Sequence, residues 1–293
     1  MSCPSDVARA AELIRAGRLV AFPTETVYGL GANALDARAV ERIFTAKNRP
    51  RTSPLIVHVD SVEMARGLCT EWPLAADTLA SRYWPGPLTL ILPKQPQIPD
   101  IVTAGLPTVG LRMPDHPLAL ELIRAAGVPI AAPSANRFTE LSPTRACHVA
   151  ETLADFVLDG GPARVGIEST VLSLAGAPQL LRPGVIPLPE IEALVGPVAR
   201  VTVGDGAHPA PGMHPRHYRP STPLYLLTHG DKPPAGEGAW LRIGEDPRAF
   251  AAALYQKLHE LDTQGLAWIA VETPPDTPEW AGVLDRLRRA AEY

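Results

Sequence analysis

The spacing of apolar positions changes along this chain and marks out its elements. Over residues 6–16, Val7, Ala10, Leu13 and Ile14 share one face at helical spacing. This predicts an amphipathic helix begun by Asp6 and ended by Gly17. The unbroken run Leu19-Val20-Ala21-Phe22 predicts a buried strand that stops at Pro23. Ala39, Val40, Ile43 and Phe44 suit a second helix, broken at Pro50. Residues 55–59, 88–92, 108–113, 128–132, 156–158 and 170–174 read as strands. Residues 74–83, 117–126 and 144–153 read as helices, the last with Ser142 as its cap.

Helices and strands alternate without a strict βαβ rhythm, so residues 1–195 predict a mixed α/β (α+β) domain. Residues 196–222 are rich in Gly, Pro and His with little helical period and read as an interdomain linker. Beyond them, strand-like runs at 224–227, 240–243 and 268–271 and helical patterns at 247–261 and 279–291 predict a second, small α/β domain over 223–293.

Composition narrows the function classes. Apolar residues make up 46% of the 293 and charged residues 20%, which allows a sizeable core. The formal charge of -4 argues against a general nucleic-acid binder, so any anion site must be built locally. Cys3, Cys69 and Cys147 are far apart and form no CxxC pair, which argues against a disulfide framework or a zinc knuckle. The first residues carry Asp6 and Glu12 without a long apolar stretch, unlike a signal peptide. No run of about 18 apolar residues occurs, so no membrane span is expected and the cytoplasm is the default location.

Candidate chemistry gathers where strands end. Pro23 to Gly31, PTETVYGLG, presents hydroxyls and a carboxylate just past a buried strand, with Gly29 and Gly31 allowing close backbone approach. Lysine is scarce, yet Lys47 and Arg49 lie two apart beyond a helix, able to clamp phosphates as a point charge and a planar fork. His58 sits within an apolar strand, where a lone histidine is usually a core residue. In Thr108 to Met113, period two places Thr108 and Arg112 on one face, with Arg112 suited to a carboxylate. Ser134 and Asn136 follow another strand, Ser169 and Thr170 open one, and Arg182 stands on a turn before Pro183. The plain readings are a hydrogen-bonded turn for 23–31, a solvated helix end for Lys47 and Arg49, a surface strand with an exposed arginine for 108–113, and turn chemistry for the remaining segments. No GxxxxGK[ST] loop, strand-borne GxGxxG, HExxH or GxSxG is present. The residues alone reach an anion or nucleotide site built from strand ends.

Taken in order, the segments resemble the YrdC-like threonylcarbamoyl-AMP synthases. The matches are PTETVYGLG at 23–31, KNR at 47–49, PLIVHV at 54–59, WPGPLTLIL at 84–92 and TVGLRMP at 108–114. APSAN at 132–136, SPT at 142–144, ESTVL at 168–172 and LRPG at 181–184 follow. The sequence APGMHPRHYRP at 210–220 resembles the linker to a smaller C-terminal domain in the two-domain branch of that family. Ser53 departs from the Asn of many relatives, His214-Pro215 replaces other residues in the linker, and residues 137–141 lack the Ser-Gly-Arg that commonly precedes SPT.

The resemblance implies a YrdC-like twisted open sheet around a concave basic cavity, with a second small Rossmann-like α/β domain. It implies synthesis of threonylcarbamoyl-AMP and pyrophosphate from L-threonine, bicarbonate or CO₂, and ATP, for tRNA threonylcarbamoyladenosine modification. By similarity, Thr26, His58, Arg112 and Ser169 would surround threonine. Lys47, Arg49, Ser53, Thr108, Ser134, Asn136, Ser142 and Arg182 would surround ATP, with Lys47 and Arg49 as the catalytic cations. Tyr218 would reach over the nucleotide as part of a lid. No protein metal site is implied; Mg²⁺ would be bound through the phosphates. A tRNA threonylcarbamoyl transferase would take up the product, and neither a membrane nor strong direct nucleic-acid binding is expected. Two other readings stay open: a carbamoyltransferase-type enzyme, which the cysteine count disfavours, and a non-catalytic RNA-binding module, which the net charge disfavours.

Overall fold

The structure is a computed structural model that describes residues 4–201, 217–228 and 230–291. In chain order its elements begin with α1 (Pro4–Arg15), β1 (Val20–Phe22), β2 (Gly29–Asn33), α2 (Ala37–Lys47), β3 (Ile56–His58), α3 (Val62–Arg66) and α4 (Leu74–Tyr83). There follow β4 (Leu88–Pro93), α5 (Asp100–Thr103), β5 (Thr108–Arg112), α6 (Pro117–Ala126), β6 (Ile130–Ala131), β7 (Phe156–Val157), β8 (Thr170–Ser173), β9 (Gln179–Arg182), α7 (Leu188–Val195) and β10 (Ala199–Arg200). The last part holds β11 (Leu224–Leu227), β12 (Gly238–Leu241), α8 (Pro247–Asp262), β13 (Trp268–Glu272) and α9 (Ala281–Ala290).

Ten strands form one mixed sheet in the order β10-β9-β8-β4-β5-β3-β6-β2-β1-β7. Among the described residues, the other three strands form a parallel sheet in the order β11-β13-β12. The two-residue period of the strands sorts the large sheet into two faces. Ala21, Val57, Val109, Leu111, Leu88, Leu90 and Leu92 point to one face and pack with Val40, Ile43 and Phe44 of α2, Leu79 of α4 and Ile191 of α7. Val20, Phe22 and Ile130 point to the other and pack with α1 and α6 through Ile14, Leu122 and Ile123. That second cluster covers one end of the sheet. Further along the same face, β3, β4 and β5 present Ile56, His58, Thr89, Gly110 and Arg112, in part polar, and this is where the concavity lies.

Several expectations needed correction. Residues 144–153 form no α-helix; only Ala146–His148 make a single 3-10 turn. The carbonyls a helix would use are taken elsewhere: Pro143 accepts from the Tyr28 amide, Thr144 from the Ala163 amide, and Ser142 contacts His259 Nε2 at 3.1 Å. The supposed cap is also occupied, because Ser142 Oγ donates to Glu168. Residues 199–200, expected in the linker, pair with β9 at the sheet edge. Gly29 and Gly31, within the segment given a turn reading, belong to strand β2, and Arg182, placed on a turn, is the last residue of strand β9. The linker reading for 202–216, with His214-Pro215, lies outside the described residues. Among the described residues, no helix is long and apolar enough to cross a membrane.

The two sheets share a core. Val27, Leu141 and Ile167 from the first part pack with Phe250, Leu254, Tyr255, Trp280 and Leu287. Backbones meet directly at Gly184 and Gly282, where a Cβ on Gly282 would overlap the Gly184 carbonyl. A methyl there must push α9 off the first part. Gly282→Ala is therefore expected to destabilise the protein by about 1–3 kcal/mol, read as a lower midpoint in denaturant unfolding.

Candidate active site

The first wall of the cavity is the turn after β1. Thr24 Oγ1 accepts from the amides of Thr26 and Val27, donates to the Val27 carbonyl (2.6 Å) and contacts Thr26 Oγ1 (2.9 Å). One hydroxyl therefore folds the PTETV segment and leaves Thr26 buried at the wall. β2 then runs beside residues 132–135: Leu30 donates to the Pro133 carbonyl and Ala135 to that of Tyr28. Gly29 is needed here, since a Cβ would press on Ala132 at 3.2 Å.

The second wall comes from neighbouring strand ends. His58 and Arg112 are register partners on β3 and β5. His58 stands edge-on to Phe22 at 5.8 Å, and burial, with Arg112 alongside, pushes its pKa down to about 3. It is a neutral ring at physiological pH. Arg112 Nη2 lies 2.7 Å from Glu25 Oε1, close but not aligned for a hydrogen bond, while Nε donates to the Gly86 carbonyl (3.3 Å). Both side chains are nearly inaccessible to solvent.

The third wall holds the other guanidinium groups. Arg49 donates to Ser53 Oγ (2.6 Å) and the Pro54 carbonyl (3.2 Å), and burial, with Arg182 nearby, pulls its pKa down to about 10 against the opposing effect of Tyr218. Arg182 donates through Nε to the Ser169 carbonyl and through Nη2 to Ser169 Oγ, both at 3.1 Å. Ser169 Oγ in turn contacts Thr89 Oγ1 at 2.8 Å. Tyr218 closes this side with its buried hydroxyl unpartnered. The Tyr218 backbone has φ of 65°, in the left-handed region.

Of the residues singled out in the sequence, Thr26, Arg49, His58, Arg112, Ser134, Ser169, Arg182 and Tyr218 line this one cavity. Lys47, Ser53, Thr108, Asn136 and Ser142 do not. Lys47 lies behind the wall, where Nζ donates to the carbonyls of Ser134 and Asn136; burial, then Arg49, holds its pKa well below the ordinary lysine value. Ser53 serves Arg49, and Ser142 serves Glu168. Thr108 shares the face of Arg112 but opens β5, opposite Pro93, at the far end of the strand. Asn136 donates to the carbonyls of Arg137 and Glu140 and keeps a buried Oδ1 without a partner. Sequence reasoning did not assign Glu25 or Glu168, although each adjoins an assigned residue within its motif. Among the described residues, no three His, Cys, Asp or Glu side chains gather as a metal site.

Known proteins share the sequence and fold of this chain. The family model described as Telomere recombination (Sua5_yciO_yrdC) matches residues 12–184, and that described as Threonylcarbamoyl-AMP synthase, C-terminal domain, matches residues 186–292. The chain belongs to the Sua5/YrdC family. Threonylcarbamoyl-AMP synthase of Pyrococcus abyssi is 43% identical over 97% of this chain and 93% of the relative. That of Bacillus subtilis is also 43% identical, over 97% of this chain and 92% of the relative. The crystal structure of P. abyssi Sua5 complexed with L-threonine superposes with a TM-score of 0.90 at 40% identity, covering 97% of this chain and 94% of that one. Within this family fold, the cavity presents three arginines to one hollow.

His58 gives the site an acid-sensitive signature. Its ordinary value is 6.5 and its folded value about 3, so between these pH values the unfolded chain binds a proton that the folded chain refuses. Stability contributed by neutral His58 is complete above pH 6.5 and is lost as pH falls through that window. The slope is about 1.4 kcal/mol per pH unit. Denaturant unfolding at pH 7 and pH 5 is expected to show a smaller acid-induced loss in His58→Gln than in the wild type.

Proposed function

We propose that this chain forms threonylcarbamoyl-AMP and pyrophosphate from L-threonine, bicarbonate or CO₂, and ATP. The observation that carries the reading is one cavity with a carboxylate-matching guanidinium, Arg112, on one wall and a second pair, Arg49 and Arg182, on another. Arg112 takes the threonine carboxylate, with Thr26, His58 and Ser169 around the rest of the amino acid. Glu25 steadies the guanidinium from behind. Ser134 and Tyr218 face the nucleotide.

The threonine amine adds to CO₂, losing a proton, to give an N-carboxylate. One oxygen of that group attacks the α-phosphorus of ATP, the bond to the bridging oxygen breaks, and pyrophosphate leaves with the electron pair. No protein nucleophile is needed. The chain supplies orientation and fixed positive charge where negative charge gathers. Arg49 and Arg182 do this directly, and Lys47 does so through the Ser134–Asn136 turn it holds. Both carboxylates near the wall, Glu25 and Glu168, are already ion-paired to arginines. A Mg²⁺ entering with ATP is therefore held by the phosphates, and no step runs through the protein's own ligands. In this reading residues 1–195 are the catalytic domain, 196–222 the linker with Tyr218 as lid, and 223–293 a C-terminal domain. The chain works in the cytoplasm and hands its product to a tRNA threonylcarbamoyl transferase.

The test is calorimetry and turnover with Arg112 variants. A charge-assisted bidentate contact is worth about 1.5–3 kcal/mol, so Arg112→Ala should weaken threonine roughly 10- to 150-fold while ATP affinity changes little. Arg112→Lys keeps a cation beside Glu25 yet loses the planar fork, and is expected to fall between. Unchanged threonine affinity in both variants, or no threonine-dependent release of pyrophosphate by the wild type, would overturn the reading.

A further inference from the structure

α9 is amphipathic, and its buried face contains an arginine. Val283, Leu284, Leu287 and Ala290 are buried, and Arg286 among them has no solvent-exposed side-chain surface. A guanidinium is costly to bury unless its donors are met. Arg286 meets them almost entirely outside the second sheet. Nε donates to Glu168 Oε2 (2.7 Å), Nη2 to the Glu168 carbonyl (3.1 Å) and Nη1 to the Pro183 carbonyl (2.8 Å). Asp285 Oδ2 accepts from Nη1 as well (2.8 Å), and the guanidinium carbon lies 5.4 Å from the centre of the Tyr218 ring.

The anchors outside α9 belong to or adjoin the cavity wall. Glu168 precedes Ser169, Pro183 follows Arg182, and Tyr218 closes the hollow. The other Glu168 oxygen accepts from Ser142 Oγ (2.5 Å), and Tyr255 of α8 donates to Oε2 (3.2 Å). α9 itself is seated on the 183–184 turn at the Gly282–Gly184 contact, so the base of the arginine has no slack.

We propose that Arg286 is a positioning residue through which the C-terminal part sets the shape and charge of the catalytic cavity. This rests on the function proposed above and extends it to the second part of the chain. One guanidinium fixes three separate wall segments and neutralises the carboxylate of Glu168. Burial tends to raise the Glu168 pKa, but Arg286 first and Arg182 second hold it below the ordinary value. Without Arg286, Arg182 is the remaining guanidinium that acts on that buried carboxylate. Glu168 then draws Arg182 away from Ser169, and the site loses its preorganised cation. The second part thus acts on catalysis without touching substrate.

The experiment compares Arg286→Met, Arg286→Lys and Arg286→Met/Glu168→Gln with the wild type, in the full chain. It measures Tm, kcat, and KM for threonine and ATP. Arg286→Met should lose about 30-fold or more in kcat/KM, with KM for threonine or ATP raised well beyond twofold, since displacing binding and catalytic groups by about 1 Å can cost two orders of magnitude. Arg286→Lys reaches Glu168 but not all the carbonyls, and should recover part of that loss. The double variant removes the orphaned carboxylate and should exceed Arg286→Met in activity. A purely structural role would instead lower Tm and active fraction while leaving both KM values unchanged. KM values within about twofold of wild type in folded Arg286→Met overturn the proposal; if that variant does not fold, the same result in Arg286→Lys does so. A wild type without turnover counts against the proposed function. ATP titration of wild type and variants then decides on Arg286 by itself, equal affinities overturning its role.

Discussion

The cost of burying positive charge governs this molecule. Lys47, Arg49, Arg112, Arg182 and Arg286 are all withdrawn from water. An isolated cation in such surroundings would be prohibitive, so each must be given acceptors. Lys47 takes two backbone carbonyls, Arg49 a hydroxyl and carbonyls, and Arg112 the Gly86 carbonyl with Glu25 as its ion-pair partner. Arg182 takes a carbonyl and a hydroxyl, and Arg286 a carboxylate and two carbonyls. Where the acceptor is a neutral dipole, the positive charge is stabilised but not cancelled. The hollow therefore keeps a positive field, aimed before any ligand arrives, and anionic groups entering it need little reorganisation of the protein.

Much of this was legible from the sequence for a definite reason. β1, β3, β4 and β5 are apolar runs or alternations, and the alternation of Val109 and Leu111 with Arg112 places the arginine opposite the core. Strand ends supplied most of the wall. Less legible were elements whose local signal is weak. β2 contains Gly29 and Gly31, poor strand formers that are required because Phe22, Ala132 and Ile130 occupy the space a side chain would need. The helical spacing at 144–153 was real, but Tyr28, Ala163 and Glu168 had claimed its first hydrogen-bonding groups. Arg286 carried no signal at all: beside Arg288 and Arg289 on a short helix it reads as part of a solvated face, and only tertiary packing shows otherwise.

Lys47 and Asn136 show why assignment to a site differs from placement on its wall. Lys47 stands two residues before Arg49, yet the helix carries it behind the Ser134–Asn136 turn. An ammonium can hold two carbonyls at once, and in doing so it fixes the Ser134 side chain that does face the hollow. Asn136 spends its amide donors on Arg137 and Glu140, which shapes the same turn. The signature of a binding segment is thus divided between groups that face the ligand and groups that hold the backbone still.

The second sheet extends that division across the domain boundary. Its core is completed by Val27, Leu141 and Ile167, residues adjacent to the cavity turns, so the two parts cannot separate without exposing apolar surface from both. Tyr218 sits at the junction with a backbone conformation that side chains other than glycine seldom adopt. The ring is held by His217 at 4.1 Å, Tyr255 at 5.9 Å and the guanidinium of Arg286. Strain of this kind persists only where the surroundings over-determine it. Here the surroundings include Tyr255 of α8 and Arg286 of α9, which do not themselves line the cavity, so the geometry of a cavity-lining residue is set in part from outside it.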